Sequence, residues 1–130
     1  MQDNFKKVTK QNSKITGMMC SPDFVFVCDR LGHMKQFESI KLELVKKYTS
    51  LIEGGHYGFG ITHCSISPQN HYAIVAGGLE IRMVNVISKA VLRTMNANNE
   101  GIITGCLFTM NSIVLSTSLG HRRRMNGHSD

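Results

Sequence analysis

The stretch Ile15–Pro22, ITGMMCSP, returns as ITHCSISP at Ile61–Pro68 and as ITGCLFTM at Ile103–Met110. The first step is 46 residues and the second is 42. A second phrase travels in register with it. LGHMKQFE at Leu31–Glu38 matches LGHRRRMN at Leu119–Asn126, 88 residues on, and LEIRMVN at Leu79–Asn85 stands between them, one residue out of step. A third phrase precedes each block: FKKVT at Phe5–Thr9, VKKYT at Val45–Thr49 and VLRT at Val91–Thr94. One repeated phrase is easy to meet by chance, but three in constant order mark an array of equal supersecondary units.

Each segment of the unit reads as a strand. Within Thr16–Cys20, Thr62–Ile66 and Thr104–Phe108, apolar or small residues recur at every second position, the period of a half-buried pleat. The next segments, Phe24–Cys28, Tyr72–Ala76 and Ile113–Ser116, are β-rich and too short for helices. Ser21–Pro22–Asp23, Ser67–Pro68–Gln69–Asn70, Gly77–Gly78 and Leu119–Gly120 supply turn chemistry between them. Met34 and Phe37, Ile81 and Val84, and Met125 mark a third strand, and the amphipathic Lys41–Thr49 a fourth. Ser39–Ser50 also has near-helical apolar spacing, but its counterparts at Phe5–Thr9 and Lys89–Met95 are short and β-branched, which favours a strand.

A period of about 40–45 residues carrying four strands is the size of a propeller blade. The expected fold is therefore all-β: a partial β-propeller of three four-stranded antiparallel blades in one domain, residues 1–130. The repeats run over 14–50, 60–95 and 102–126, with 5–9 as an extra outer strand that brings the total to twelve. Met18, Cys20, Cys64, Ile66, Cys106 and Phe108 are the equivalent inward positions of the first strands and are expected to be buried. Propellers close with about four to eight blades. Three blades therefore imply missing blades from a longer chain, a homo-oligomer such as two copies making six, or an open array.

Composition limits what the array can be. There is no Trp, so the core is built from Val, Ile, Leu, Met and Cys. No run of about 18 apolar residues spans a membrane, and no apolar stretch follows the basic N-terminus as in a secretory signal. An intracellular, cytoplasmic protein is expected. The four cysteines form no CxxC pair, so they read as reduced thiols acting as small hydrophobes, with no metal site and no cofactor.

The first-strand phrases resemble those of the WD-repeat propeller family, whose pattern is V-x-x-V-x-F-S-P-D. Ile61, Cys64, Ile66, Ser67 and Pro68 follow that spacing, as do Ile15, Met18, Cys20, Ser21, Pro22 and Asp23. Ile81–Arg82–Met83–Val84–Asn85 is similar to the end of the family's third strand, with Val84 in the Trp place and Asn85 in the Asp place. Phe37–Glu38 and Met125–Asn126 take those places in the other units, and Gly55–His56 resembles the Gly-His pair before a first strand. The family's buried relay from His through Ser or Thr to Trp does not carry over, because His56 has no Trp partner. Asp29 fills the family's turn-Asp place in the first unit, and Gly77–Gly78 stand there in the second.

The resemblance implies a non-catalytic scaffold for protein–protein interaction, with other proteins as partners. A competing reading follows from the formal net charge of +6. Arg122, Arg123 and Arg124, with Lys46 and Lys47 and the equivalent pair Lys6–Lys7, are candidates for an anionic ligand, nucleic acid or acidic lipid. No aromatic residues alternate with the arginines, so nucleic acid lacks a stacking platform. An enzyme is not expected. Asp23, Asp29 and Glu38 could serve as acids and His63 or His71 as bases, but no nucleophile elbow, phosphate loop or metalloprotease helix accompanies them.

Overall fold

The computed structural model describes residues 13–53, 60–97 and 101–118, together with the backbone of 122–126. The expected extra strand at Phe5–Thr9, the pair Lys6–Lys7 and Gly55–His56 lie outside the described residues. Eleven strands occur among them, and no helix. The first sheet holds β1 (Ile15–Cys20), β2 (Phe24–Asp29), β3 (Met34–Glu38) and β4 (Leu44–Tyr48). The second holds β5 (His63–Ile66), β6 (Tyr72–Gly77), β7 (Glu80–Asn85) and β8 (Ala90–Asn96). The third holds β9 (Ile103–Phe108), β10 (Ser112–Thr117) and β11 (Arg122–Asn126). Within each sheet every strand pairs antiparallel with its sequence neighbour.

The turns explain why these short strands are cut where they are. Ser21, Ser67 and Thr109 occupy the same place in the three units. Their hydroxyls accept the backbone N–H of Phe24 at 3.2 Å, Tyr72 at 3.0 Å and Ser112 at 3.0 Å. A short hydroxyl side chain thus takes up a backbone donor that the turn would otherwise leave unpaired. Gly77, the last residue of β6, must be glycine because a Cβ there would overlap the carbonyl oxygen of Gly60, on the segment entering β5.

Two apolar cores lie between the sheets. Phe26, Cys28, Met34 and Tyr48 of the first sheet pack with Ala73, Val75 and Val84 of the second, and Leu51, Ile52 and Ile61 fill the crossing segment. Ile74, Ala76, Ile81, Met83 and Met95 of the second pack with Ile103, Ile113 and Leu115 of the third. Alternate residues of β6 therefore serve opposite cores, as the two-residue pleat requires. The second sheet is covered on both faces, which is why β6 is almost continuously buried.

The burial expected of the first strands needs correction. Cys64 and Ile66 lie partly buried against the first core, and Cys106 and Phe108 against the second. Met18 is 62% exposed and Cys20 is exposed as well. The phase of the repeat is right, since Met18, Cys64 and Cys106 occupy one register position. What differs is the neighbour: Cys64 and Cys106 face a preceding sheet, and among the described residues no sheet precedes Met18.

Candidate functional site

The residues that give the repeat its chemistry are turn ties and junction pins. Glu38 and Asn85 stand in the family's Asp place at the ends of β3 and β7. The Asn85 Oδ1 accepts the N–H of Ile87 and of Ser88, both at 3.0 Å. Glu38 Oε1 accepts the N–H of Ile40, and that of Lys41 at 3.0 Å. Both turns then pass through a left-handed residue, Leu42 at φ 58° and Lys89 at φ 65°. The tied turns carry Ile40 and Ile87 outward, and both are exposed. Asp29, buried at the opposite end of the first sheet, accepts the N–H of Leu31 and of His33, each at 3.0 Å.

These ties bear on the acids and bases considered from sequence. Asp29 and Glu38 lie at opposite ends of the first sheet, since Glu38 pairs with Phe24 and Asp29 with Ile15. Their oxygens are engaged by backbone amides. Burial lowers the His63 imidazole from its ordinary range, and its Nδ1 lies 2.9 Å from the Thr62 hydroxyl. His71 is exposed, and its ring meets that of Tyr72 edge-on. No group of three metal-ligating side chains occurs among the described residues.

The basic candidates fall in different sheets. Lys46 and Lys47 are exposed on β4, opposite Gln36 and Lys35, with the Lys46 Nζ 5.9 Å from the centre of the Tyr48 ring. Arg122, Arg123 and Arg124 form β11 of the third sheet, in register with Ser116, Leu115 and Val114. The second sheet stands between the two sets. Among the described residues no helix is long and apolar enough to cross a membrane.

Sequence reasoning missed the pins that join sheets. Gln36 is fully buried, and its Nε2 donates at 3.0 Å to the carbonyl of Val86, in the turn that follows β7. The Tyr48 hydroxyl donates to Gln36 Oε1 at 2.7 Å, so the amide is used at both ends. At the next junction the Phe108 N–H donates to the Ser65 hydroxyl at 3.2 Å. A buried polar group left unpaired costs about 1–3 kcal/mol. Gln36→Leu removes both bonds and leaves the Val86 carbonyl unpaired, so urea unfolding should show a loss of about 2–4 kcal/mol, the pair acting as one network. A loss under about 0.5 kcal/mol would count against the pin.

Burial also pushes the Tyr48 phenol up from 10.0 to about 12. The folded state therefore holds the neutral phenol longer than the unfolded chain does. Its contribution to stability is complete below pH 10 and is lost as pH rises toward about 12. The stability difference between the native chain and Tyr48→Phe should shrink across that window, which unfolding at stepped pH would measure.

The two outer faces of the array are built like its inner ones. On the face of the first sheet turned away from the second, Met18 and Cys20 are exposed, while Val27 and Phe37 further out are buried. On the far face of the third sheet, Leu107 is 58% exposed and Val114 is 37% exposed. Val114 holds the register position of Phe26 and Ile74, both fully buried in the junctions. Apolar side chains thus stand where a neighbouring sheet would cover them.

No family model matches the sequence, and no curated protein is significantly similar to it. Solved structures match the fold closely. The Cps50 (Swd1) β-propeller domain of Myceliophteria thermophila superimposes with a TM-score of 0.73 at 13% identity, covering 92% of this chain and 38% of that one. The RRP9 WD40 repeats give 0.67 at 14% identity, covering 95% and 42%. U3-55K gives 0.67 at 13% identity, with the same coverage of 95% and 42%. The fold is therefore that of part of a WD40 β-propeller, and the chain spans about two-fifths of the propeller structures it matches.

Proposed function

We propose that this chain is a non-catalytic scaffold for protein–protein interaction, part of a larger propeller or assembly, and that its two end faces are association surfaces. One observation carries the reading. Met18, Leu107 and Val114 are exposed at register positions that the inner blades cover, so each end face has the surface of an unfinished junction. An exposed apolar patch of this kind marks an association site. For these 130 residues by themselves in solution, the occupant is the opposite end face of a second copy, because two arcs of three blades make six, within the range in which propellers close. The reading carries a cytoplasmic setting, in which the four free cysteines stay reduced.

Light scattering over a concentration series tests it. The expected result is a mass that rises from one chain to two and then stays there. A chain that remains monomeric at high concentration and binds no hydrophobic dye would overturn the proposal. The tied turns bearing Ile40 and Ile87 remain on the surface of such an assembly, available to other proteins.

A further inference from the structure

We propose that Cys28 and Cys64 are a redox-modifiable pair, which a peroxide converts to a disulfide that staples the first blade to the second. The placement rests on three observations. Cys28 of the first sheet lies in the first core, and Cys64 of the second packs partly buried against that core. Gly17 is in register with Cys28 on the neighbouring strand. A Cβ on Gly17 would stand 3.3 Å from the Cys64 sulfur, so that sulfur lies over the glycine. Cross-strand partners have their Cβ positions about 4.5–5.5 Å apart. The missing side chain at Gly17 thus gives Cys64 room beside Cys28.

The other two cysteines are differently placed. Cys20 points to the opposite face of the first sheet, in register with Val25. Cys106 packs in the second core. Hydrogen bonding assigns the roles within the pair. The bond from Cys28 lowers the Cys64 thiol from its usual range, against the opposing effect of burial. The same bond, with burial second, pushes Cys28 up. Burial pushes Cys106 up to about 12, with the Cys64 charge adding to it. Cys64 is also only half buried, whereas Cys28 is fully buried. Cys64 is the nucleophile and Cys28 the resolving thiol.

The chemistry balances with hydrogen peroxide as the oxidant. The Cys64 thiolate attacks one peroxide oxygen, the O–O bond breaks, and hydroxide leaves, giving a sulfenic acid. Cys28 then attacks the Cys64 sulfur as its thiolate, the S–O bond breaks, and water departs with the remaining protons. Two thiols lose two electrons, and one peroxide becomes two waters.

The test uses the full chain carrying Cys20→Ser, because Cys20 and Cys28 share the tryptic peptide 15–30. The chain is treated with hydrogen peroxide, free thiols are alkylated, and the digest is read by mass spectrometry. The expected product links peptide 15–30 to peptide 48–82, with Cys106 alkylated. Adding Cys28→Ser should abolish the link and leave a sulfenic acid on Cys64 that dimedone traps. A Cys64–Cys106 disulfide would overturn the proposal. So would recovery of both peptides unlinked while Cys64 is alkylated or oxidised alone.

Discussion

Replacing Phe26 with Ala is expected to cost about 3–5 kcal/mol, a large fraction of the total stability of about 5–15 kcal/mol typical of a domain. The ring is fully buried at the centre of the first junction. It lies 6.1 Å from the Phe24 ring, centre to centre, at 60°. Truncation removes its transfer free energy and leaves a cavity between two sheets joined by a glutamine pin, which restricts their collapse onto each other. Phe108 should respond less, because it is only partly buried, and Met18→Ala should stay within about 0.5 kcal/mol. Urea unfolding of the three variants, at concentrations where the chain is monomeric, gives the order directly. If Met18→Ala cost as much as Phe26→Ala, the junction would not be where the core places it.

That ordering also shows what the repeat made legible and what it did not. The phrase at Ile15–Pro22 and its echoes located the strands within a residue or two, because pleat period and turn chemistry are local properties. The seryl and threonyl turn ties at 21, 67 and 109 follow from the same local logic. Burial of Met18 was expected on the same grounds, and here the repeat misled. A repeat fixes the face on which a residue sits, but burial needs a second sheet, and a phrase says nothing of its neighbours. Gln36 was invisible for a related reason. In the sequence it is one polar residue in an amphipathic strand, and its partner Val86 is 50 residues away. The basic residues show the converse. Charge alone groups Lys46 and Lys47 with Arg122–Arg124 as candidates for an anionic ligand, and the sequence does not say that they stand in the first and third sheets.

The substitutions with the largest effect on the proposed assembly are Met18→Lys and Leu107→Lys, each expected to keep the chain monomeric at concentrations where the native chain dimerises. The reason lies in how two arcs close. In the proposed dimer, the third blade of one copy would meet the first blade of the other, and the reverse contact would repeat the same surfaces by two-fold symmetry. A single substitution therefore puts a lysine into both contacts at once, and burying an unpaired ammonium in an apolar junction costs several kcal/mol. Mixing the two variants is the sharper measurement. In the mixed pair, one contact joins an unaltered Leu107 face to an unaltered Met18 face, and the other gathers both lysines. The first contact is intact, so mass should recover to two chains on mixing, although each variant alone stays monomeric. Like-with-like pairing of first blades gives a different pattern. Leu107→Lys alone would then still dimerise, Met18→Lys would not, and mixing would restore nothing. Sedimentation velocity on the two variants and their equimolar mixture separates these outcomes, because a single complementary face pair supports recovery only when the contact runs from the last blade of one copy to the first blade of the next.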